Sequence, residues 1–227
     1  PDAPLLRAAM DRAWREMERL TARMTRYQPG STVSAINRAA GRHAVSVEPE
    51  VLSVLQAAHN VALRTHGAFD ATVGALRAWR FDVRQTTVPA SQEIEAQRRL
   101  VGFQGLVLDE QAGTAYLKQR GMALDLGGIA KLPILEAGMR TLRAQGVEHA
   151  MLNGGGDVLV AGQLHGRAWR VGLRDPRAPE RLLGVLHLEV GDLRGQAGAA
   201  GQRLAGEVLA AAGQRGLRLL LELGALL

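Results

Sequence analysis

The chain has 227 residues, 47% hydrophobic and 22% charged, enough to bury a substantial core, and no run of about 18 apolar residues that would cross a bilayer. The absence of cysteine excludes disulfides, thiolate zinc sites and cysteine nucleophiles. A net charge of +6 raises the question of a polyanion partner, but almost all of it is Arg spread along the chain without interleaved aromatics, so no nucleic-acid partner is expected. No secretory signal is legible, which leaves exported and cytoplasmic origins both open.

In chain order, Leu5, Ala9, Ala13, Met17, Leu20 and Met24 recur at helical spacing and predict an amphipathic helix to about Met24. The turn signal Tyr27-Gln28-Pro29-Gly30 follows, and Ser31 offers an N-cap for a short helix through Asn37. Ala44–Val47 alternates like a strand, and Pro49 opens a helix to about His66, stopped by Gly67. Ala68–Arg80 fits no single period and reads as a functional loop with a short helix. A helix from Ser91 to Leu100 precedes three short runs, Leu106–Leu108, Thr114–Leu117 and Met122–Leu124, expected to form an antiparallel sheet. A further helix to about Gln145 and strands at Ala150–Leu152, Val158–Val160 and Trp169–Leu173 complete an α+β domain over residues 1–190. Residues 191–227 form a tail rich in Gly, Ala, Leu and Arg, divergent in composition from the body.

Two glycine-containing segments stand out. Asp125-Leu126-Gly127-Gly128-Ile129-Ala130-Lys131 lies between a predicted strand and a predicted helix, where free backbone N–H groups and the helix dipole favour an anion such as a pyrophosphate. Asp125 would accept hydrogen bonds from a sugar or heterocycle, and Lys131 would reach a phosphate. The same residues also fit a plain turn in which Asp125 caps the helix and Lys131 is solvated. Asn153-Gly154-Gly155-Gly156-Asp157 joins two predicted strands, either to admit a ligand closely or as a wide hairpin.

Four strings together carry a resemblance: Met24–Asn37, Gly67–Leu76 with Trp79, Leu124–Lys131, and Leu152–Gly162. Their residues and order resemble the ApbE family of FAD:protein FMN transferases over about residues 2–176. The resemblance implies an ApbE-type, T-fold-like domain of antiparallel sheets with flanking helices. It further implies an enzyme, often an exported lipoprotein of the bacterial periplasm or cell envelope, that splits FAD with Mg²⁺ and attaches FMN to a Thr or Ser hydroxyl of a target flavoprotein subunit. Tyr27, Ala68, Phe69, Asp70, Asp125 and Lys131 match family positions that contact FAD, and Gly128 matches one implicated in the metal site.

After residue 176 the family's Thr-Ser-Gly strand, its His-containing segment and its metal-holding helix with Asp and Thr have no counterpart in the sequence. Leu132-Pro133-Ile134 also replaces the family's usual Gly-Tyr-Ala after the lysine. These departures keep a second expectation in view, a catalytically incomplete flavin-binding protein that serves as a carrier or partner in a redox assembly.

Overall fold

The computed structural model describes residues 2–78 and 88–188. Their elements, in order, are α1 (Ala3–Met24), α2 (Thr32–Ala39), β1 (Val45–Ser46), α3 (Pro49–Arg64), α4 (Ser91–Arg98), a 3₁₀ turn (Phe103–Gly105), β2 (Leu106–Asp109), β3 (Thr114–Leu117), α5 (Lys131–Ala144), β4 (Ala150–Gly154), β5 (Asp157–Ala161), β6 (Trp169–Asp175) and β7 (Ala178–Leu188). Helices with antiparallel sheets make the fold α+β. Trp79 and the boundary expected near residue 190 lie outside the described residues. The chain divides into two compact units, Trp14–Ala137 and the residues on either side of that span.

In the unit Trp14–Ala137, β3 is the central strand of a three-stranded sheet ordered β1-β3-β2, with Val45 opposite Ala115 and Leu106 opposite Leu117. Helix α2 packs on β1 and β3, and α3 on β2. The helical stripe predicted after Pro49 is the buried face of α3, where Val51, Leu55 and Val61 are almost wholly enclosed together with Val33 and Ile36 of α2 and Leu117 of β3. The helix starts are legible in residue types. Ser31 caps α2 by accepting a hydrogen bond from the Ser34 amide, and Pro49 occupies the first turn of α3, where its missing N–H costs nothing.

Met122–Leu124 does not form the third strand of this sheet. Its one ladder contact among the described residues is a parallel bridge between Ala123 and Val73, and β1 takes the sheet position instead. The segment is apolar because it is buried, Leu124 completely, and burial alone gives a short apolar run the look of a strand.

In the other unit, Ala9 and Ala13 of α1 pack with Leu142 of α5 and Val147, and with Ala150 and Leu152 of β4. Strands β4 and β5 pair as a hairpin, as do β6 and β7. Strand β7 was not expected, because Pro179 and the paired Leu182-Leu183 obscure its alternation. Its register is irregular opposite Leu173–Asp175, where a bulge absorbs the offset.

Candidate functional site

The first candidate segment begins where α3 ends. Gly67 has φ of 82°, a left-handed conformation that favours glycine, and its amide reaches back to the Ala62 carbonyl. The Thr65 hydroxyl accepts a hydrogen bond from the Phe69 amide at 3.1 Å, which sets the start of the Ala68–Gly74 loop. Within the loop, Asp70 organises its surroundings. Oδ1 accepts from the Thr72 amide at 2.8 Å and from the Thr72 hydroxyl at 2.6 Å, and Oδ2 accepts from the Phe103 amide at 2.8 Å. Thr72, fully buried, in turn accepts from the Gly102 amide at 2.8 Å. Both oxygens of the half-buried Asp70 thus bond within the protein, and its carboxylate fixes the loop to the 3₁₀ turn.

The second segment lies directly against the first. The Asp125 amide donates to the Ala71 carbonyl at 2.8 Å, and a Cβ placed on Gly74 would stand 2.6 Å from the Leu124 carbonyl, so only glycine lets the two backbones approach this closely. Asn37 of α2 holds the same stretch from another side, its Oδ1 accepting from the Leu124 amide at 2.7 Å and its Nδ2 donating to the Leu124 carbonyl at 3.1 Å. The Phe69 ring edge meets Gly128, 3.4 Å from where a Cβ would sit. The structure therefore brings together Phe69, Asp70, Asp125 and Gly128. Ala68, Gly127, Gly128 and Lys131 are exposed, Lys131 as the first residue of α5.

Arg26 and Tyr27 join this cluster. Arg26 Nε lies 3.0 Å from Asp125 Oδ2, an ion pair in which both side chains are mostly enclosed, although the Nε–H itself is aimed at no acceptor. The same guanidinium reaches the Gly74 carbonyl at 3.4 Å and the Tyr27 hydroxyl at 3.3 Å, and its centre stands 5.0 Å from the Tyr27 ring centroid, within cation–π range. One side chain thus links the tyrosine, the carboxylate and the Ala68–Gly74 loop. Sequence reasoning passed over both Arg26 and Asn37. Their only signal was their place inside the Met24–Asn37 string, since neither type announces a positioning role. Tyr27 is 78% exposed, which leaves its aromatic side chain open to a ligand.

Several amides of the turn serve the turn itself. Gly127 N–H donates to Asp125 Oδ1 at 2.9 Å, and the Ile129 and Ala130 amides both donate to the Leu126 carbonyl. These three donors satisfy the turn itself, and Pro133 has none to offer. Less of an anion cradle is left here than a bare strand-to-helix junction would provide. No three His, Cys, Asp or Glu among the described residues are grouped to hold a metal, and both Asp125 oxygens face protein partners.

The Asn153–Asp157 glycines form a tight hairpin rather than a wide one. Gly154 pairs with Asp157 as the last rung of β4–β5, and Gly155 and Gly156 have φ of 68° and 102°, as a two-residue turn with two left-handed positions requires. Asn153 Oδ1 accepts from the Gly156 amide at 2.9 Å, closing the turn.

Comparison with known proteins bears on these segments together. The sequence pattern of the ApbE family matches residues 3–198, further along the chain than the four strings. Among curated relatives, an FAD:protein FMN transferase of Klebsiella pneumoniae is 35% identical over 177 residues, 78% of this chain and 54% of that protein. One of Vibrio cholerae is 27% identical over 195 residues, 84% of this chain and 57% of its own. Among solved structures, the ApbE protein of Thermotoga maritima superposes with a TM-score of 0.75 at 29% identity, covering 82% of this chain and 60% of the other. The flavin transferase ApbE of Vibrio cholerae superposes at 0.68 and 28% identity, covering 78% and 57%. The chain spans a little over half the length of these relatives. With the four strings in order, their first three drawn into one cluster and the architecture shared, the chain belongs to the ApbE family.

Proposed function

We propose that the chain binds FAD at the Tyr27–Phe69–Asp125–Gly128 cluster and transfers FMN to a Thr or Ser hydroxyl of a target flavoprotein subunit. In this reaction the hydroxyl oxygen forms a new bond to the FMN phosphorus. The bond from that phosphorus to the bridging pyrophosphate oxygen breaks, the hydroxyl proton is released, and AMP leaves. Relatives that carry the name FAD:protein FMN transferase support the reading. The observation that carries it is the backbone contact of Ala68–Gly74 with Leu124–Asp125, which sets the half-buried Phe69 ring, a carboxylate and an exposed glycine pair side by side. Tyr27 and Phe69 offer apolar faces to a flavin or adenine ring, Asp125 accepts from ring or ribose donors, and Lys131 neutralises phosphate charge.

Mg²⁺ belongs to the proposal through the family alone. Gly128 is its matched position, and no step is assigned to the metal. Placement in the periplasm or cell envelope likewise rests on the resemblance, and subcellular fractionation of the native organism tests it. A second reading is a flavin-binding protein that does not transfer, since no three His, Cys, Asp or Glu among the described residues are grouped to hold a metal. Incubation with FAD, Mg²⁺ and a target flavoprotein subunit, followed by intact mass measurement of that subunit, decides between them. Transfer adds one FMN to the subunit, whereas an unchanged mass alongside measurable FAD binding selects the carrier.

A further inference from the structure

An open groove of about 990 Å³ in the Trp14–Ala137 unit shares Arg26, Tyr27 and Asn37 with the flavin cluster. Away from those residues it is lined by Arg38 of α2, Arg42 in the turn after α2, Arg77 and Arg120. Five arginines that are scattered in sequence thus converge on one concavity, and its described lining contains no Asp or Glu. Arg38 is held in place by the Pro29 carbonyl at 2.7 Å. Arg42, Arg77 and Arg120 are exposed and form no ion pair with a described carboxylate. Several guanidinium groups gathered without ion-pair partners among the described carboxylates raise the local potential and select for carboxylates or phosphates, which arginine binds through paired N–H donors.

We propose that this groove docks an acidic segment of the acceptor flavoprotein, close to the hydroxyl that receives FMN. The inference rests on the transferase reading, which requires a macromolecular acceptor to reach the flavin cluster. The groove borders that cluster through Arg26, which touches Asp125 on one side and lines the groove on the other. A polypeptide suits it better than a second nucleotide. The one aromatic residue of the described lining is Tyr27, so among the described lining residues no second ring is offered to stack a base. The cations come from four separate stretches of chain around an open mouth, which matches several carboxylates on an extended strand rather than one compact diphosphate. Ala40 and Ala123 add small apolar surface to the same groove for the strand's non-acidic residues.

The test uses a fluorescein-labelled octaglutamate peptide with the full chain, read by anisotropy at low and high salt, together with an FAD titration of the same preparations. Expected are saturable binding that weakens on raising salt, and a roughly tenfold or greater loss in the double variant Arg42→Glu/Arg120→Glu with FAD affinity unchanged. The double variant Arg7→Glu/Arg15→Glu, which lowers net charge equally on the exposed side of α1, should retain peptide binding. The proposal is overturned if the peptide fails to bind, or if both double variants lose it equally. It is also overturned if the groove variant loses FAD in parallel, which would assign the groove to the nucleotide's phosphates, or if a single-stranded oligonucleotide binds more tightly than the peptide. Because FAD binding is read separately, its absence from wild type counts against the flavin reading, whereas peptide failure with FAD binding intact counts against the groove alone.

Discussion

Thr72 shows how the site depends on residues that need not touch a ligand. Its hydroxyl donates to Asp70 and accepts from Gly102 in a fully buried position. Thr72→Val keeps the shape but leaves a carboxylate oxygen and an amide short of partners, a loss of about 1–3 kcal/mol that urea unfolding would measure. A change below about 0.5 kcal/mol would show that water replaces the hydroxyl. Arg26 acts differently, because it spans the Tyr27 ring, Asp125 and the Gly74 carbonyl. Arg26→Met should weaken FAD binding about tenfold by releasing Asp125, with Arg26→Lys restoring part of the loss, since lysine keeps the charge but not the planar fork. Equal affinities of wild type and Arg26→Met would remove the positioning role. Asp70 teaches the same lesson, for the sequence marks it as a ligand-facing carboxylate while its oxygens also bind Thr72 and Phe103. A sequence displays the residue type and withholds the partner.

At the scale of elements, local rules carried the helices. Ser31 and Pro49 announced the starts of α2 and α3, Gly67 announced the stop, and the apolar stripe of α3 named its buried face. The strands were less legible because their pairing is non-local. The apolar run Met122–Leu124 earned its composition from burial beside Val73 rather than from a ladder, and β7 was hidden by Pro179 and by a bulge that breaks its alternation. Helix α1 meets α3 where the Arg19 guanidinium bridges Glu16 and Glu50. The hydrogen bond from Arg19 holds the Glu50 carboxyl below the usual carboxylate range, and hydrogen bonds to Glu16 first and Glu50 second raise Arg19 above its ordinary value. A carboxyl with a depressed folded value contributes stability above its unfolded pKa of about 4.3 and loses that contribution as pH falls through the folded value. The side chains are nearly half exposed, so solvent screening keeps the effect to about 0.5 kcal/mol. Glu50→Gln should therefore be less stable than wild type by that amount at pH 7 and no less stable at pH 2. A deficit unchanged at pH 2 would assign it to packing instead.

For the molecule as a whole, the first three strings that carry the family resemblance, more than a hundred residues apart end to end, converge in the Trp14–Ala137 unit through Asn37, Gly74 and Ala71. Order and residue type pointed to a candidate nucleotide site in these strings. The bonds that close it, and the gathering of five arginines beside it, became visible only in three dimensions, because charges spaced far apart in sequence give no sign that they share a concavity. Whether this cluster receives a flavin dinucleotide is tested most directly by titrating the full chain with FAD and following flavin fluorescence. Saturable binding in the micromolar range is expected, weakened at least tenfold by Asp125→Asn, which removes the charge paired with Arg26. FAD fluorescence that stays unchanged on adding wild-type protein, or an Asp125→Asn variant that binds as tightly as wild type, would contradict it.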